Sequence, residues 1–444
     1  METTAAETLQ QRIEDRTAVV GVIGLGYVGL PLSLTFAEQG FTVLGFDVDN
    51  DKIEQLKRGQ SYIGHLDESR IEGVIKQRKF APTADFERLS EPDALLICVP
   101  TPLTPDREPD MQFIVGTAER IVTRLRPGQL VVLESTTYPG TTDELLRAKL
   151  EESGLILGRD FFLAFSPERE NPGSTEFTTR TIPKVVGGVD QVSGDLAQSL
   201  YDQVVVSTVR VSSARAAEAT KLTENVFRAV NIAFVNELKV ILREMDVDVW
   251  EVLDAASTKP FGFMRFDPGP GWGGHCIPID PYYLAWKADQ LGQRARFVEL
   301  AGEVNRRMPE FVIKRSAEAL AAQGKQVDGS RVLIVGLAFK PNVADDRESP
   351  SYRLMEEFER RGAEVGYFDP HIPVIRAGRQ HAKWAGMRSI EFSQEGVGMF
   401  DLSVIATDHD RVDYRALARW APAIVDTRNA VPRDVESEGR VWPA

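Results

Sequence analysis

The sequence predicts an α/β protein in which two doubly wound domains are joined by a long central helix. Three observations support this class. Apolar strand-like runs alternate with helical patterns in the first half, the stretch from Ala214 to about Ala256 is helical without a strand, and the alternation returns after Gly324. Such alternation is typical of parallel sheets with helices on both faces. The predicted domains are 17–213, 214–318 and 319–444.

The first half begins with about sixteen polar residues, which are predicted to be frayed or weakly helical. The apolar run AVVGVIG from Ala18 predicts a buried strand, LPLSLTFAEQG a helix that ends at Gly40, and FTVLGFDVD a second strand. The pattern continues through ALLICVP, a helix around Met111–Leu125, the strand QLVVLEST and a helix that starts near Thr141.

The central stretch carries apolar residues spaced three and four apart, as on one face of a helix. They are Phe227, Val230, Phe234, Leu238 and Ile241. Further helices are predicted over Tyr282–Lys287 and Phe297–Arg315. After Gly324 the strand RVLIVGLAF, the helix SPSYRLMEEFERRG and the strands AEVGYFDP, DLSVIATD and AIVDTR predict the second α/β domain.

Composition excludes several classes of protein. The 444 residues carry a formal net charge of −14, so bulk attraction to nucleic acid or anionic membrane is not expected. Two cysteines exclude a disulfide framework and a four-thiolate zinc site, and no metal centre is predicted. No apolar run approaches the roughly 20 residues of a membrane span, and the N-terminus does not resemble a signal peptide. We expect a reduced, cytoplasmic protein.

Gly24, Gly26 and Gly29 form a GxGxxG motif that follows a predicted strand and opens a predicted helix. The first glycine permits a tight turn, the second lets the backbone approach a pyrophosphate, and the third permits close packing of helix on strand. Tyr27 and Val28 lie inside the motif, where N–H groups of the helix N-terminus are available to phosphates. The motif in this context predicts a dinucleotide cofactor.

Asp47 closes the second predicted strand, 18 residues after Gly29. A carboxylate there can accept from both ribose hydroxyls and repels a 2′-phosphate, which favours NAD over NADP. Lys52 could add a cation near the adenosine, with a solvated helix lysine as the alternative. Thr101 and Thr136 follow strands at whose carboxyl ends ligands bind, with turn capping as the alternative role.

The segment PGPGWGGHCIPIDP, residues 268–281, predicts a tight loop that holds one thiol, Cys276, just before a helix. A helix N-terminus lowers the pKa of a thiol and favours the nucleophilic thiolate. Cys98 lies in an apolar strand and is expected to be a buried structural cysteine. A thiol beside a nicotinamide suggests that an aldehyde formed by hydride removal is trapped as a thiohemiacetal. A second hydride removal gives a thioester, which water hydrolyses to an acid.

Lys221 and Asn225 are spaced i, i+4 on the central helix and therefore share a face. Together they could stabilise negative charge on a substrate oxygen, and Lys221 could act as a base if burial favoured its neutral form. An exposed helix lysine is the alternative. Asp280 and Glu168 are candidates to handle water and protons, although isolated carboxylates are more often surface groups.

These residues together resemble the UDP-glucose/GDP-mannose dehydrogenase family over nearly the whole chain, from Val20 to about Arg428. The markers are GLGYVG, VPTP (Val99–Pro102), ESTTYPGTT (Glu134–Thr142), SPER (Ser166–Arg169), KLTEN (Lys221–Asn225), GGHCIPID (Gly273–Asp280) and GLAFKPNVADDRES (Gly336–Ser349). The resemblance implies two Rossmann-like domains, NAD as cofactor, and a central helix that also forms a homodimer. It further implies that the second domain, which lacks a GxGxxG at Gly336, binds the nucleotide diphosphate of the substrate.

The resemblance also implies roles for single residues. Cys276 matches the nucleophile, Lys221, Asn225 and Asp280 match oxyanion and water-handling residues, and Glu168 and Thr136 match residues that hold the water or assist proton transfer. The positions that match contacts to substrate or cofactor are Lys340, Arg347, Arg265, Phe266 and Gly273.

The segment GGHCIPIDPYYL resembles the enzymes that act on UDP-N-acetylhexosamines, above all UDP-N-acetylglucosamine. His275 and Ile279 stand where the enzymes for UDP-glucose or GDP-mannose usually carry Ser and Lys, and an uncharged Ile279 is expected to leave room for an N-acetyl group. Many members insert an arginine from the neighbouring subunit at a position where this chain has Pro260, with Lys259 or Arg265 as possible substitutes.

The sequence therefore predicts an NAD-dependent four-electron oxidation of the C6 alcohol of UDP-N-acetylglucosamine, with a charged sugar suited to polysaccharide synthesis as the product. Alternatives in the same class act on UDP-N-acetylmannosamine or UDP-glucose. A two-electron dehydrogenase of the hydroxyacid type would leave Cys276 and the second domain unexplained, and a non-catalytic nucleotide-sugar sensor would have no use for a nucleophile.

Overall fold

The structure is a computed structural model, and it describes residues 3–63, 66–169, 180–274, 277–376, 381–435 and 440–444. The chain divides into two compact units. The first unit comprises residues 1–224 and 282–293, and the second comprises residues 225–281 and 294–444. Each unit contains a Rossmann-like sheet covered by helices, so the predicted α/β class is confirmed.

The first unit is built on an eight-stranded sheet in the order β3-β2-β1-β4-β5-β6-β7-β8. Neighbouring strands are parallel except for β6 and β7, which are antiparallel. The strands are β1 (Val19–Ile23), β2 (Thr42–Phe46), β3 (Phe80–Thr83), β4 (Ala94–Ile97), β5 (Gln129–Leu133), β6 (Phe161–Phe165), β7 (Lys184–Gly188) and β8 (Thr208–Arg210). The strand order reverses between β1 and β4, and ligands of doubly wound sheets bind outside the carboxyl ends at such a reversal.

Within residues 3–63, 66–169 and 180–213, seven α-helices precede the central helix. They are α1 (Ala5–Glu14), α2 (Gly29–Glu38), α3 (Asn50–Lys57), α4 (Glu68–Lys76), α5 (Gln112–Val122), α6 (Arg147–Glu151) and α7 (Gln191–Asp202). A π-helical turn over Thr141–Leu146 leads into α6. Gly40 has a φ of +97° just after α2, in agreement with its expected place at the helix C-terminus.

The N-terminal segment, predicted to be frayed or weakly helical, forms the helix α1, so the helical alternative is the one observed and fraying is wrong. Thr4 and Glu7 form a capping box at the start of α1, which satisfies backbone N–H groups that would otherwise lack partners. Leu9 and Ile13 are buried in the core of the first unit, and Arg12 donates to the buried Asp93 at 2.6 Å. The two apolar residues lie four apart, so they share one face of the helix.

The predicted central helix is confirmed as α8 (Ala214–Glu244), which is 31 residues long, but the helical stretch does not run unbroken to Ala256. Asp246 has a φ of +59°, and a separate helix α9 (Val249–Ser257) follows. The predicted apolar stripe also differs from an ordinary core face. Phe227, Phe234 and Ile241 are 47%, 55% and 45% exposed, because the buried face of α8 is formed by other residues. Those buried residues include Leu222, Asn225, Ala229, Ala233, Asn236 and Lys239.

The second unit contains a five-stranded parallel sheet in the order β10-β9-β11-β12-β13. Its strands are β9 (Arg331–Val335), β10 (Glu364–Phe368), β11 (Leu402–Ile405), β12 (Ile424–Asp426) and β13 (Val441–Pro443). The remaining helices are α10 (Asp280–Gln290), α11 (Arg296–Ala321), α12 (Pro350–Arg360), α13 (Gln394–Gly398) and α14 (Tyr414–Trp420). None of the helices in the described ranges combines the length and the apolar character needed to cross a bilayer.

Candidate active site

The glycine motif between β1 and α2 has the geometry that its three roles require. Gly24 has a φ of +94°, which favours glycine at the turn. A Cβ on Gly29 would lie 1.9 Å from the Gly24 carbonyl oxygen, so helix and strand approach too closely for any side chain. A Cβ on Gly26 would meet nothing within 4 Å. The open space at Gly26, beside the N-terminal end of α2 with Tyr27 and Val28, fits a bound pyrophosphate.

Asp47 is buried at the carboxyl end of β2, beside this motif. Its Oδ2 accepts from the Leu25 N–H at 2.9 Å and its Oδ1 accepts from the Asp49 N–H at 3.0 Å. The Lys52 ammonium lies 3.5 Å from Asp47 Oδ2, so this lysine is directed toward the carboxylate and is not merely a solvated helix residue. The hydroxyl of Tyr62 donates to the Leu25 carbonyl, beside Asp47 and Lys52. The sequence did not single out this tyrosine.

Thr101 and Thr136 follow the adjacent strands β4 and β5 at the same sheet edge as Gly24. Thr101 is buried and Thr136 is half-buried. The Ser135 hydroxyl donates to the Val99 carbonyl at 2.8 Å, which ties the two loops together. Both threonines therefore lie in loops that border the ligand edge of a doubly wound sheet, as the sequence predicts.

Lys221 of α8 is not an exposed helix lysine. Its side chain is buried, and Nζ donates to the Glu168 carbonyl oxygen at 2.6 Å. The Glu168 carboxylate accepts from the Arg169 N–H at 2.7 Å and is 14% exposed. Glu168 follows β6 and therefore stands at the same edge of the first sheet as Thr136, which follows β5.

Asn225 and Asp280 form a buried pair in the second unit. Asn225 Nδ2 donates to Asp280 Oδ2 at 2.5 Å, and the two residues are 3% and 2% exposed. Asp280 is the first residue of α10, which begins four positions after Cys276. Cys276 and His275 lie outside the described residues. The buried amide and carboxylate can polarise a bound oxygen or water, provided that each keeps its partner.

The glycine loop before Cys276 packs against the second sheet's loops. A Cβ on Gly273 would lie 2.7 Å from Pro350 Cδ, and one on Gly274 would lie 2.8 Å from the Phe339 ring. Gly274 also has a φ of +88°. The glycines are thus required for close packing as well as for the tight turn expected from the sequence.

The other expected substrate residues are held by contacts within the second unit. Arg265 pairs with Asp254 at 2.5 Å and with Asp267 at 2.7 Å, and these carboxylates raise its pKa. The ring of Phe266, which is half-buried, meets the ring of Phe227 edge-on.

Two further expected contacts lie in the loop after β9. Arg347 forms a two-pronged pair with Asp345, with Nη2 2.6 Å from Oδ2. Lys340 is half-buried, and its ammonium lies 5.7 Å from the centre of the neighbouring Phe339 ring. The roles of Arg347 and Lys340 in binding stay predictions.

The second sheet has its own acid at the position that matches Asp47. Asp369 follows β10 as Asp47 follows β2, and Gly336 follows β9 with a φ of +88°. Asp369 accepts from the N–H groups of Leu337, Ala338, His371 and Ile372 and contacts the ring of His409 at 3.0 Å. The oxygens of the Asp369 carboxylate therefore already accept hydrogen bonds from groups of the protein.

Two buried acids at the carboxyl edge of the first sheet were missed by the sequence argument. Glu218 of α8 accepts from the N–H groups of Gly140 and Thr142 at 2.6 and 2.9 Å, and burial raises its pKa to about 7. Glu134 opens the ESTTYPGTT segment and contacts Lys184 at 2.8 Å. A signal for Glu134 was available, because an acid directly after the apolar run QLVVL is unusual in a buried strand.

Cys98 is buried as expected, and burial raises its pKa well above the ordinary value, so it is a thiol rather than a nucleophilic thiolate. In the described part of the chain, no group of three or more His, Cys, Asp or Glu side chains is placed to hold a metal ion.

Comparison with protein families identifies the class. Three family models match in chain order: the NAD-binding domain of the UDP-glucose/GDP-mannose dehydrogenase family over residues 18–205, its central domain over 215–307, and its UDP-binding domain over 333–433. With the open glycine motif and the acid at the end of β2, these matches define an NAD-dependent dehydrogenase of nucleotide sugars.

Relatives agree with this class over most of the chain. A UDP-N-acetyl-D-glucosamine 6-dehydrogenase of Pseudomonas aeruginosa is 37% identical, covering 80% of this chain and 83% of that protein. A UDP-N-acetyl-D-mannosamine dehydrogenase of Escherichia coli K12 is 35% identical, covering 89% and 94%. The structure of a UDP-D-ManNAc dehydrogenase from Pyrococcus horikoshii superposes with a TM-score of 0.85 at 30% identity and covers 96% and 98%.

The chain belongs to the UDP-glucose/GDP-mannose dehydrogenase family. It is an NAD-dependent nucleotide-sugar 6-dehydrogenase whose substrate is a UDP-sugar, which confirms the enzyme class and the cofactor predicted from the sequence.

Proposed function

We propose that the enzyme oxidises the C6 alcohol of UDP-N-acetyl-D-glucosamine to the carboxylate, with two NAD reduced per sugar. The reaction consumes one alcohol, two NAD and one water, and yields one carboxylate, two NADH and three protons. The main support for this chemistry is that two polar residues of α8, Lys221 and Asn225, are buried and hydrogen-bonded. Lys221 bonds the Glu168 carbonyl at 2.6 Å and Asn225 bonds Asp280 at 2.5 Å.

Cys276 is the proposed nucleophile. Its thiolate adds to the C6 aldehyde, which gives a thiohemiacetal whose oxyanion is stabilised by the Lys221 ammonium and the Asn225 amide. Loss of a second hydride converts this adduct into a thioester. Water then attacks the thioester carbon, the C–S bond breaks, and the thiol is regenerated. Asp280 orders the attacking water, and Glu168 with Thr136 accepts its proton.

The first unit is proposed to hold the cofactor. When bound there, NAD would supply the hydride acceptor for both oxidations at C6. The pyrophosphate binds at the glycine motif formed by Gly24, Gly26 and Gly29, with Tyr27 and Val28 beside it. Asp47 accepts hydrogen bonds from the ribose hydroxyls, and Lys52 lies beside the Asp47 carboxylate. Thr101 and Thr136 face the cofactor from the ends of β4 and β5. Arg347 stays a proposed contact of the cofactor.

The second unit is proposed to bind the sugar nucleotide. Lys340, Arg265, Phe266 and Gly273 would line the substrate, and the match to the family's UDP-binding domain supports this assignment. Arg265 already neutralises two carboxylates, so Lys259, whose ammonium lies 5.0 Å from the Phe261 ring, is the freer substitute for an arginine that would cross between subunits. The division into domains 17–213, 214–318 and 319–444 is retained as part of this proposal.

The choice of sugar depends on Ile279, which precedes Asp280 and is half-buried. An uncharged side chain leaves space for the N-acetyl group at C2 without a buried unpaired charge. Relatives named for N-acetylglucosamine and for N-acetylmannosamine have similar identities, so the two epimers are the substrates to compare first.

The test is the number of NADH molecules formed per sugar consumed, with UDP-N-acetylglucosamine, UDP-N-acetylmannosamine and UDP-glucose measured in parallel. Two NADH per UDP-N-acetylglucosamine, with the highest kcat/KM of the three, is the expected result. One NADH per sugar would favour the two-electron hydroxyacid-type dehydrogenase. A higher kcat/KM for either other sugar would refute the proposed substrate.

Cys276→Ala tests the covalent mechanism. The variant should lose complete oxidation while it still binds NAD, because the aldehyde can no longer form a thioester. Cys98→Ala is the matched control, since Cys98 is buried and its elevated pKa keeps it a thiol. Unchanged formation of the carboxylate by Cys276→Ala would rule out the thioester.

A homodimer through α8 is also proposed. Phe227, Phe234 and Ile241 recur every seven residues and are about half exposed, which leaves an apolar stripe for a second copy of the chain. Phe234→Asp should convert the dimer to a monomer in light scattering after size exclusion, whereas Ile156→Asp, at a similarly exposed position of the first unit, should not. Equal masses for Phe234→Asp and the parent dimer would refute this interface.

The cellular setting stays a prediction. A charged uronic acid product would suit the synthesis of an acidic polysaccharide, and the low cysteine content led us to expect a reduced, cytoplasmic protein.

A further inference from the structure

A buried ionic group lies behind the Glu168 turn in the first unit. Lys184, the first residue of β7, is only 4% exposed and its Nζ lies 2.8 Å from Glu134 Oε2. The other Glu134 oxygen accepts from the Tyr201 hydroxyl. Lys184 Nζ also lies 5.0 Å from the centre of the Tyr201 ring. Glu134 and Tyr201 therefore fix the position of the ammonium from two sides.

The same ammonium also contacts the turn that carries Glu168. Lys184 Nζ donates to the Pro167 carbonyl at 3.3 Å and lies 3.8 Å from Glu168 Oε2. Lys221 bonds the next carbonyl, that of Glu168 itself. Two lysines thus hold consecutive carbonyl groups of one turn, and Lys184 also attracts the side-chain carboxylate.

The charges in this group favour an ammonium at Lys184. Burial alone would lower the pKa of Lys184, but Glu134 and Glu168 together outweigh burial and raise it. Other titratable groups near the ammonium include Cys98 and Tyr201, and both stay protonated because burial raises their pKa values. Burial raises the pKa of the Glu134 carboxyl, and the nearby Lys184 ammonium opposes that shift.

A purely structural pair would need only Lys184 and Glu134, because each would satisfy the other in the core. Lys184 also contacts the Pro167 carbonyl and the Glu168 carboxylate, which is partly exposed, and a structural pair would not need these contacts. This arrangement connects a fixed buried charge to the residue that is proposed to accept a proton from water.

We propose that Lys184 is a positioning residue for the hydrolysis of the thioester, because its contacts hold the turn of Glu168 and the Glu168 carboxylate in place. In that step a water oxygen bonds to the thioester carbon, the C–S bond breaks with its electron pair on sulfur, and the water proton moves to Glu168. This inference rests on the proposed covalent mechanism and adds to it a residue that does not touch the substrate.

The main test compares Lys184→Met with Lys184→Arg in the full-length enzyme, with UDP-N-acetylglucosamine and NAD. Lys184→Met should still form two NADH per active site in the first turnover, and then slow by about 100-fold or more because the base for hydrolysis, Glu168, is no longer held in position. Intact-protein mass spectrometry should detect a sugar nucleotide bound to Cys276. Lys184→Arg, which keeps the cation, should retain a rate within about tenfold of the parent and show no adduct.

The double variant Lys184→Met with Glu134→Gln separates positioning from folding. It removes the buried carboxylate along with the ammonium, so it should fold even if the single variant does not. It should show the same adduct at Cys276, because the contact from the ammonium to Glu168 is lost in both variants.

Loss of thermal stability with no adduct in either variant would overturn the proposal and leave Lys184 a structural residue. If the parent enzyme produced no NADH from any of the three UDP-sugars, the proposed function would fail instead, before Lys184 was tested.

Discussion

Lys239 offers a quantitative test of how burial affects this fold. It lies on the inner face of α8, is 5% exposed, and donates to the Gly269 carbonyl at 3.1 Å at the base of the glycine loop. Burial, reinforced by the Arg428 guanidinium, lowers the pKa of Lys239 from 10.5 to about 7. The folded protein therefore binds this proton less tightly than the unfolded chain does.

The sign of the pH dependence follows from this difference. Between about pH 7 and pH 10.5 the unfolded chain binds more protons at Lys239 than the folded protein, so the free energy of unfolding rises with pH. One pKa unit corresponds to about 1.4 kcal/mol, so the lysine destabilises the fold by about 4 kcal/mol at pH 7 and by about 1 kcal/mol at pH 10. Replacing it with an apolar residue removes the penalty but also the bond to Gly269, which is worth about 1 kcal/mol.

Lys239→Met should therefore be more stable than the parent by about 3 kcal/mol at pH 7, and the advantage should disappear by pH 10. Urea denaturation midpoints measured at intervals from pH 6.5 to 10 provide the assay. Lys314→Met is the control, because Lys314 is an exposed residue of α11 in the same unit and its removal should leave the pH dependence unchanged. Parallel midpoints for Lys239→Met and the parent across this range would refute the reasoning.

Three further predictions use different parts of the first unit. Gly26→Ala should keep the parent melting temperature, because the added Cβ meets no protein atom, but it should weaken NAD binding in a titration, because the methyl group occupies the space proposed for the pyrophosphate. Gly29→Ala should unfold at a lower temperature, because its Cβ would overlap the Gly24 carbonyl oxygen. Equal NAD affinity for Gly26→Ala and the parent would argue against a pyrophosphate there. The pKa of Glu218 is raised from 4.5 to about 7, so the free energy of unfolding falls as pH rises from about 4.5 to 7. Glu218→Gln should remove up to about 3 kcal/mol of this fall, measured by urea denaturation. Ile13→Ala should lower the unfolding free energy by about 2 to 4 kcal/mol because the side chain is fully buried, and an unchanged midpoint would mean that α1 is not docked.

Much of the fold could be predicted because its signals are local. Apolar runs bounded by turn residues located the central strands of both sheets, and the glycine motif located the start of α2. Peripheral strands such as β3 and β8 were missed, because short strands with mixed burial lack a clear period. The packing of α1 on the core was not predicted for a related reason, since the buried residues Leu9 and Ile13 depend on residues far along the chain for their burial.

The site was predictable where residue type and order carry the chemistry, as for Gly24, Asp47 and Lys221. It was not predictable where a residue acts through distant contacts. Lys184 and Glu134 are 50 positions apart in sequence, and no local pattern in either segment predicts that the two side chains form an ion pair. The spacing of the α8 stripe was read correctly as one helix face, but spacing alone cannot tell whether that face packs against its own chain or is left exposed.

The occupied state of Asp369 has a kinetic consequence. The second sheet keeps a glycine turn and an acid in the places where the first sheet has Gly24 and Asp47, but its acid already accepts four backbone N–H groups. Asp369 is thus less available to ribose hydroxyls than Asp47, which accepts two backbone N–H groups, and we expect the dinucleotide to bind at the first sheet. If the proposed reaction uses two NAD per sugar at that one position, the first NADH must leave and a second NAD must enter while the half-oxidised sugar stays behind. The aldehyde would then remain on the enzyme during the exchange, and a covalent link to sulfur would prevent its escape into solution.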